Sequence, residues 1–232
     1  MDPKHRDRIA FVRICSGKFE RDMTVHHSRS EKKVRISSSH KLFGNERETV
    51  DEAWAGDVVG IVGNYDFLIG DTVSEDPGIR YEETPRFAPE CFAYLRNSST
   101  AKFKRFREGL DQLLKEGVAQ QFELPDSIQR VPLLGAVGPL QFEVMQYRLE
   151  TEYSADCRVE SAPWQFARWP LVDGAPLTER PELLLPSGCA MAKDASGFWV
   201  VLLPSSWTIG YLEEKNPAHS FGAEPPSPPR TA

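Results

Sequence analysis

Short β-branched runs separated by polar links fill the first third of the chain. Arg8–Cys15 (RIAFVRIC), Met23–Val25, Lys33–Ile36 and Val58–Val62 each read as a strand of a few residues. The glycine-bounded block Gly56–Gly63, with Ile69–Val73 after it, supplies tight turns between them. Strands of this length and spacing predict a small all-β barrel that ends near Pro85. Beyond it the hydrophobic period changes. Cys91–Leu95 is a strand, and Phe103, Phe106, Leu110, Leu113 and Leu114 then recur at helical spacing. An amphipathic helix is expected from Ala101 to about Glu116, with Asn97-Ser98-Ser99-Thr100 offering capping side chains. Val118–Leu124 and Val131–Val137 are further strands. Gly138-Pro139 opens a second helix, with proline at its first position. Phe142, Met145, Leu149 and Tyr153 form that helix's buried stripe, which Leu140, Val144 and Tyr147 broaden. Asp156–Glu160 completes the order β-α-β-β-α-β. That order predicts a ferredoxin-like α+β domain, two helices on one face of a four-stranded antiparallel sheet.

Past residue 163 the pattern shifts again. Trp164, Trp169, Trp199 and Trp207 lie here, and Asp194-Ala195-Ser196-Gly197 between two apolar runs signals a hairpin. Ser205 or Ser206 is placed to cap a short helix running to about Glu214, and Glu224–Ala232 is too rich in proline for a packed core. The expected organisation is a barrel over 1–85, a ferredoxin-like part over 86–163, an extension packed on it over 164–216, and a disordered tail over 217–232. The polar Met1–Asp7 leads abruptly into the first strand, as a cut inside a longer chain would.

Charge changes this picture more than composition does. The 232 residues are 40% hydrophobic and 27% charged, ordinary for a globular protein, and the net charge is −6. Residues 1–48, however, hold 12 Lys and Arg against 7 Asp and Glu, a net of +5, and the remainder carries −11. A basic stretch on an acidic chain points to an anionic partner at that surface. Arg29, Lys32, Lys33, Arg35, His40 and Lys41 are the first group of candidate RNA contacts. Lys102, Lys104, Arg105 and Arg107 are the second; they open the first helix, where positive charge opposes the macrodipole. The competing reading of both groups is a solvated rim. Base-stacking aromatics of the RRM type are not recognisable in the strands of the α+β sheet.

The sequence offers little for catalysis. The phosphate-binding pattern Gly-x4-Gly-Lys-Ser/Thr is missing, since Gly17-Lys18 is followed by Phe19 and has no glycine five residues before it. Asp57-Val58-Val59-Gly60 and Asp194–Gly197 spell Asp-x-x-Gly but read as turns. His26 and His27 would point to opposite faces of a strand. Cys15, Cys91, Cys157 and Cys189 have no metal-ligand spacing, and Cys15 and Cys91 read as small buried hydrophobes. No catalytic, cofactor-binding or metal-binding residue is assigned, and a cytoplasmic protein is expected.

With these residues in view, the chain resembles the C-terminal part of the bacterial release factor 3 family, which are translational GTPases. The likeness runs through Met1–Arg8, Ser16-Gly17-Lys18, Ile69-Gly70-Asp71-Thr72 and Phe87-Ala88-Pro89-Glu90. It is most specific at Gly135-Ala136-Val137-Gly138-Pro139-Leu140-Gln141-Phe142 and Ala167-Arg168-Trp169, and fades after Trp169. The resemblance implies a GTPase domain upstream, holding GTP or GDP, then a β-barrel and a C-terminal α/β domain. It implies a role in termination, promoting release of the codon-reading release factors from the ribosome. The implied partners are the ribosome, through RNA and ribosomal proteins, and the GTPase domain in cis; no membrane, no DNA and no second copy are expected. The competing readings are a fragment resembling elongation factor G or a ribosomal-protection protein, a stand-alone RNA-binding module, and a small enzyme on the α+β domain.

Overall fold

In the computed structural model, residues 8–43, 46–63, 65–81, 86–128 and 131–226 are described. The leading Met1–Asp7, the boundary at Pro85 and the last six residues of the expected tail lie outside them. The chain divides into two compact units, the sequence boundary falling between Thr84 and Pro85.

The first unit is all β. Its strands are β1 (Arg8–Arg13), β2 (Lys18–Glu20), β3 (Thr24–His27), β4 (Lys32–Arg35), β5 (Ser39–Phe43), β6 (Glu46–Thr49), β7 (Glu52–Trp54), β8 (Val58–Gly63) and β9 (Val73–Ser74). They pair antiparallel in three ladders, β1-β8-β5-β6, β2-β7 and β4-β3-β9. Among the described residues these ladders do not join into one closed barrel, contrary to the expectation. The strands are too short for a continuous ladder, and left-handed residues such as Asp22 (φ 66°) and Gly56 (φ 104°) turn the chain between them. What unites the ladders is a shared core of Ile14, Phe19, Val25, Ile36, Ala53, Val59 and Ile61. Asp57 belongs to a turn: its Oδ2 accepts the Trp54 amide at 2.9 Å.

The second unit contains β10 (Cys91–Asn97), α1 (Phe103–Lys115), β11 (Gln120–Glu123), β12 (Leu133–Ala136), α2 (Leu140–Glu152) and β13 (Cys157–Ser161). They are followed by β14 (Phe166–Val172), β15 (Ala175–Pro176), β16 (Ala190–Asp194), β17 (Trp199–Leu203), α3 (Ser206–Lys215) and β18 (Ser220–Gly222). The element order β-α-β-β-α-β over 91–161 is the one the periodicity predicts, with strand order β13-β10-β12-β11. The sheet does not stop at four strands. Phe122 and Glu123 of β11 pair with Asp194 and Lys193 of β16, and the sheet continues through β17, β14 and β15, with β18 on β14. The C-terminal extension is thus hydrogen-bonded into the sheet, not simply packed on it. Ser220–Gly222 is a strand, so the expected disordered tail does not begin at residue 217.

Side-chain alternation gives the sheet two cores on its helix-bearing side and one on the other. Ala93, Leu95, Leu134 and Ala136 meet Phe106, Leu110 and Leu113 of α1 and Phe142, Met145 and Leu149 of α2. Met191, Trp199, Val201 and Leu203 meet Leu212 of α3. Phe92, Phe122, Leu133, Trp164, Ala167, Trp169, Val200 and Leu202 fill the opposite side.

The segment Gly135–Phe142 has a structural task at each end. A Cβ on Gly135 would lie 2.7 Å from the Phe122 ring and 2.8 Å from Pro89, so only glycine fits. Gln141 accepts the amides of Val137 and Gly138 at 2.9 and 3.0 Å and donates to the Val118 carbonyl at 2.8 Å, closing the turn into α2. Gly135→Ala is therefore expected to destabilise the second unit by about 1–3 kcal/mol through overpacking, measured by urea denaturation.

Several expected details differ. Neither Ser99 nor Ser205 caps a helix through its side chain. Asn97 shapes the entry to α1 by bonding both the amide and the carbonyl of Ser99, and Pro139 stands one residue before the first helical position of α2. Phe103, Leu140, Val144 and Tyr147 are exposed, because α1 and α2 lie on the sheet with the opposite faces down. Cys15 is exposed rather than buried.

Candidate nucleic-acid interface

The first basic group sits around the β3–β4 hairpin. Register places His26 opposite Lys33 and His27 opposite Lys32, so the two histidines take opposite faces. His27 is buried and its Nε2 lies 2.8 Å from Asp71 Oδ2, while its Nδ1 meets the Ser30 hydroxyl at 2.8 Å. Arg29 Nε donates to Asp71 Oδ1 at 2.9 Å, and its guanidinium also donates to the Asp66 carbonyl. Asp71 further accepts the Leu68 amide at 2.8 Å. Burial alone would raise the Asp71 carboxyl, but Arg29, the Leu68 amide and His27 together hold it below the usual carboxylate value. The Ile69–Thr72 motif thus fastens a loop to the hairpin, and Arg29 belongs to that fastening.

The other candidates divide by their partners. Arg35 pairs with Asp22 at 3.1 Å, and Lys102 with Asp156 at 2.6 Å, where the ammonium lowers the Asp156 carboxyl. Lys104 lies 3.9 Å from Glu108, one turn on. Lys32, Lys33, Arg105 and Arg107 are exposed and, among the described residues, have no carboxylate within ion-pair distance. His40 is half-buried; its Nε2 meets the Ser38 hydroxyl at 3.1 Å and its buried Nδ1 has no partner among the described residues. Lys41 lies in β5 opposite Glu48, and its side chain is outside the described residues. The candidates of residues 29–41 and of 102–107 belong to different compact units.

Sequence reasoning passed over one surface. Phe11 of β1 is 65% exposed on the face of the β1-β8-β5-β6 sheet turned away from the core. Its signal was present in the strand alternation, since Val12 and Ile14 take the inward positions. Among the described residues no three His, Cys, Asp or Glu side chains form a metal-ligand group. The lowered carboxyls of Asp71, Asp126 and Asp156 each face an Arg or Lys, and burial pushes the Cys157 thiol up to about 11, far from a reactive thiolate.

Known proteins resemble this chain in both units. A family model described as "Elongation factor G domain 2" matches residues 1–76, which makes the first unit similar to a translation-factor domain. A crystal structure of a Thermus thermophilus protein superposes with a TM-score of 0.57 at 19% identity, over 85% of this chain and 29% of that one, a likeness of fold. A model described as "Class II release factor RF3, C-terminal domain" matches residues 81–213, more than half of the chain. The chain belongs to the peptide chain release factor 3 family. Peptide chain release factor 3 of Gloeobacter violaceus is 47% identical over 221 residues, 95% of this chain and 41% of that protein. That of Synechococcus elongatus is 46% identical over 217 residues, 94% of this chain and 38% of that protein. The chain thus spans about two fifths of the length of these curated relatives. Among the described residues no helix is long and apolar enough to cross a membrane.

Proposed function

We propose that this chain is the non-catalytic, ribosome-binding portion of a release-factor-3-like translational GTPase of the cytoplasm. In this reading residues 1–85 are the translation-factor β domain, 86–163 the ferredoxin-like part and 164–216 its extension. GTP and GDP bind in the remainder of the protein, which is the partner in cis. The whole promotes departure of the codon-reading release factors at termination, as a monomer and without DNA. The observation that carries the reading is the set of exposed cations Lys32, Lys33, Arg105 and Arg107, unpaired among the described residues, on a chain of this family. Phosphate contacts by such cations release counterions, so affinity falls with salt. An elongation-factor-G-like fragment is the weaker reading, because residues 81–213 match the release-factor model.

The test is binding of the chain to purified 70S ribosomes across a salt series. Lys32→Glu with Lys33→Glu, and Arg105→Glu with Arg107→Glu, are each expected to weaken binding and to flatten the dependence of log K on log salt by about 1–2. Arg29 is unsuitable for this test, since reversing it would unfasten the Asp71 loop. Binding unchanged by both double reversals would remove these residues from the interface.

A further inference from the structure

An antiparallel sheet with one face in water normally alternates apolar and polar residues, yet β1 and β8 do not. Inward from them lie Val12, Val59 and Ile61, in the core. Outward, register places Ile9 opposite Val62, Phe11 opposite Gly60 and Arg13 opposite Val58. His40 of β5 pairs with Gly60 from the other side and with Thr49 of β6. The outer face is therefore a shallow apolar floor, Phe11 65% and Val58 50% exposed, with a guanidinium at one edge and an imidazole across β8. No carboxylate occupies any of these paired positions. Arg13 is exposed and, among the described residues, has no ion-pair partner.

Gly60 explains how the aromatic ring is held. A Cβ there would fall 3.2 Å from Ile9 Cγ2 and 3.9 Å from Phe11 Cε1, so the ring edge and Ile9 cover bare backbone while most of the Phe11 surface remains in solvent. Trp54, another large exposed ring of this unit, makes a contrast. Lys18 sits over it at 5.3 Å and is itself shared by Glu20 and Glu52, so acidic groups ring that surface and repel phosphate. Phe11 has no such neighbours at the paired positions of its face.

We propose that this face is a base-stacking platform for single-stranded RNA, with Phe11 stacking an unpaired base and Arg13 meeting the adjoining phosphate. An exposed ring on a pleated surface accepts any base by its π-face, and flanking cations follow the backbone. A protein partner would cover the apolar floor equally well, but the exposed Arg13 guanidinium two residues from Phe11, with no carboxylate at the paired positions, favours a polyanion. The platform deepens the ribosome-binding reading, on which it rests, by naming a site and a recognition mode distinct from the hairpin and helix cations.

The test uses the whole chain and a fluorescein-labelled ten-nucleotide single-stranded RNA, followed by anisotropy, with a 2-aminopurine-containing copy to report stacking. Phe11→Leu, which keeps the cover over Gly60, is expected to weaken binding about tenfold and abolish 2-aminopurine quenching while leaving the salt slope unchanged. Phe11→Trp should retain both signals. Arg13→Ala should lower the salt slope by about 1 with quenching kept. Equal affinity and quenching in Phe11→Leu overturn the platform. So does loss of 70S binding in that variant with RNA-oligonucleotide binding intact, which assigns the face to a protein surface. Ribosome binding by the parent chain without any oligonucleotide binding defeats the platform alone; failure of both defeats the ribosome-binding reading as well.

Discussion

Trp169→Ala is expected to lower the stability of the second unit by about 3–5 kcal/mol, the range for emptying a buried tryptophan site. Trp169 is fully buried in the core on the sheet side opposite the helices, against Phe122, Leu133, Ala167 and Leu202. Its loss removes more than volume. The indole Nε1 donates to Asp194 Oδ2 at 2.9 Å, and Asp194 Oδ1 accepts the amides of Ser196 and Phe198, both at 2.9 Å. One ring therefore supports the β16–β17 turn from β14, and alanine leaves the Asp194 carboxylate without that donor. Trp169→Phe keeps much of the volume and removes only the hydrogen bond, so it should recover at least half of the lost stability. Urea midpoints followed by tryptophan fluorescence would read both changes. A Trp169→Ala variant within about 1 kcal/mol of the parent would mean that this core is not the keystone of the extension.

That keystone explains where the sequence was readable and where it was not. The helices α1 and α2 announced themselves because Phe106, Leu110 and Leu113, and Phe142, Met145 and Leu149, bury on one face against local strands. The Asp194–Gly197 hairpin was legible because its turn residues act locally. By contrast β14, β15 and β18 were missed: a strand containing Pro170 and the three residues Ser220-Phe221-Gly222 carry no strand signature of their own. β14 and β18 are strands because β17 and β18 reach β14 from some thirty to fifty residues further along the chain, which no local window contains, whereas β15 pairs with β14 across the Asp173-Gly174 turn. The candidate site divides the same way. The basic residues were visible by type, but whether each is free was not. Arg29 and Arg35 are committed to Asp71 and Asp22, while Lys32 and Lys33, almost beside them, are exposed. Phe11 was passed over because the run Ile9–Val12 is apolar on both faces, and the register of β1 on β8 places it outward beside Gly60.

Asp71 is where that kind of commitment is best measured. Asp71→Asn is expected to destabilise the β3–β4 hairpin and the loop before β9 by about 2–3 kcal/mol. The carboxylate is 10% exposed and gathers Arg29, His27 and the Leu68 amide, so removing its charge leaves three donors poorly matched. The effect falls short of a fully buried ion pair because the Arg29 side chain is 33% exposed and partly screened. The sign of the pH dependence follows from the lowered Asp71 carboxyl. A carboxyl held below its unfolded value of about 3.9 contributes its full stability above that pH. The contribution drains away as pH falls through the lower folded value. Amide exchange of residues 24–36 and 66–74 should thus be nearly flat in protection from about pH 7 to 5, after correction for intrinsic rates, and weaken below about pH 4. In Asp71→Asn protection should start lower and lose that acid-side fall. An identical acid profile in the two proteins would show that the loop is held by its apolar contacts, Phe67 on His27 and Tyr65 on Phe67, rather than by the charge.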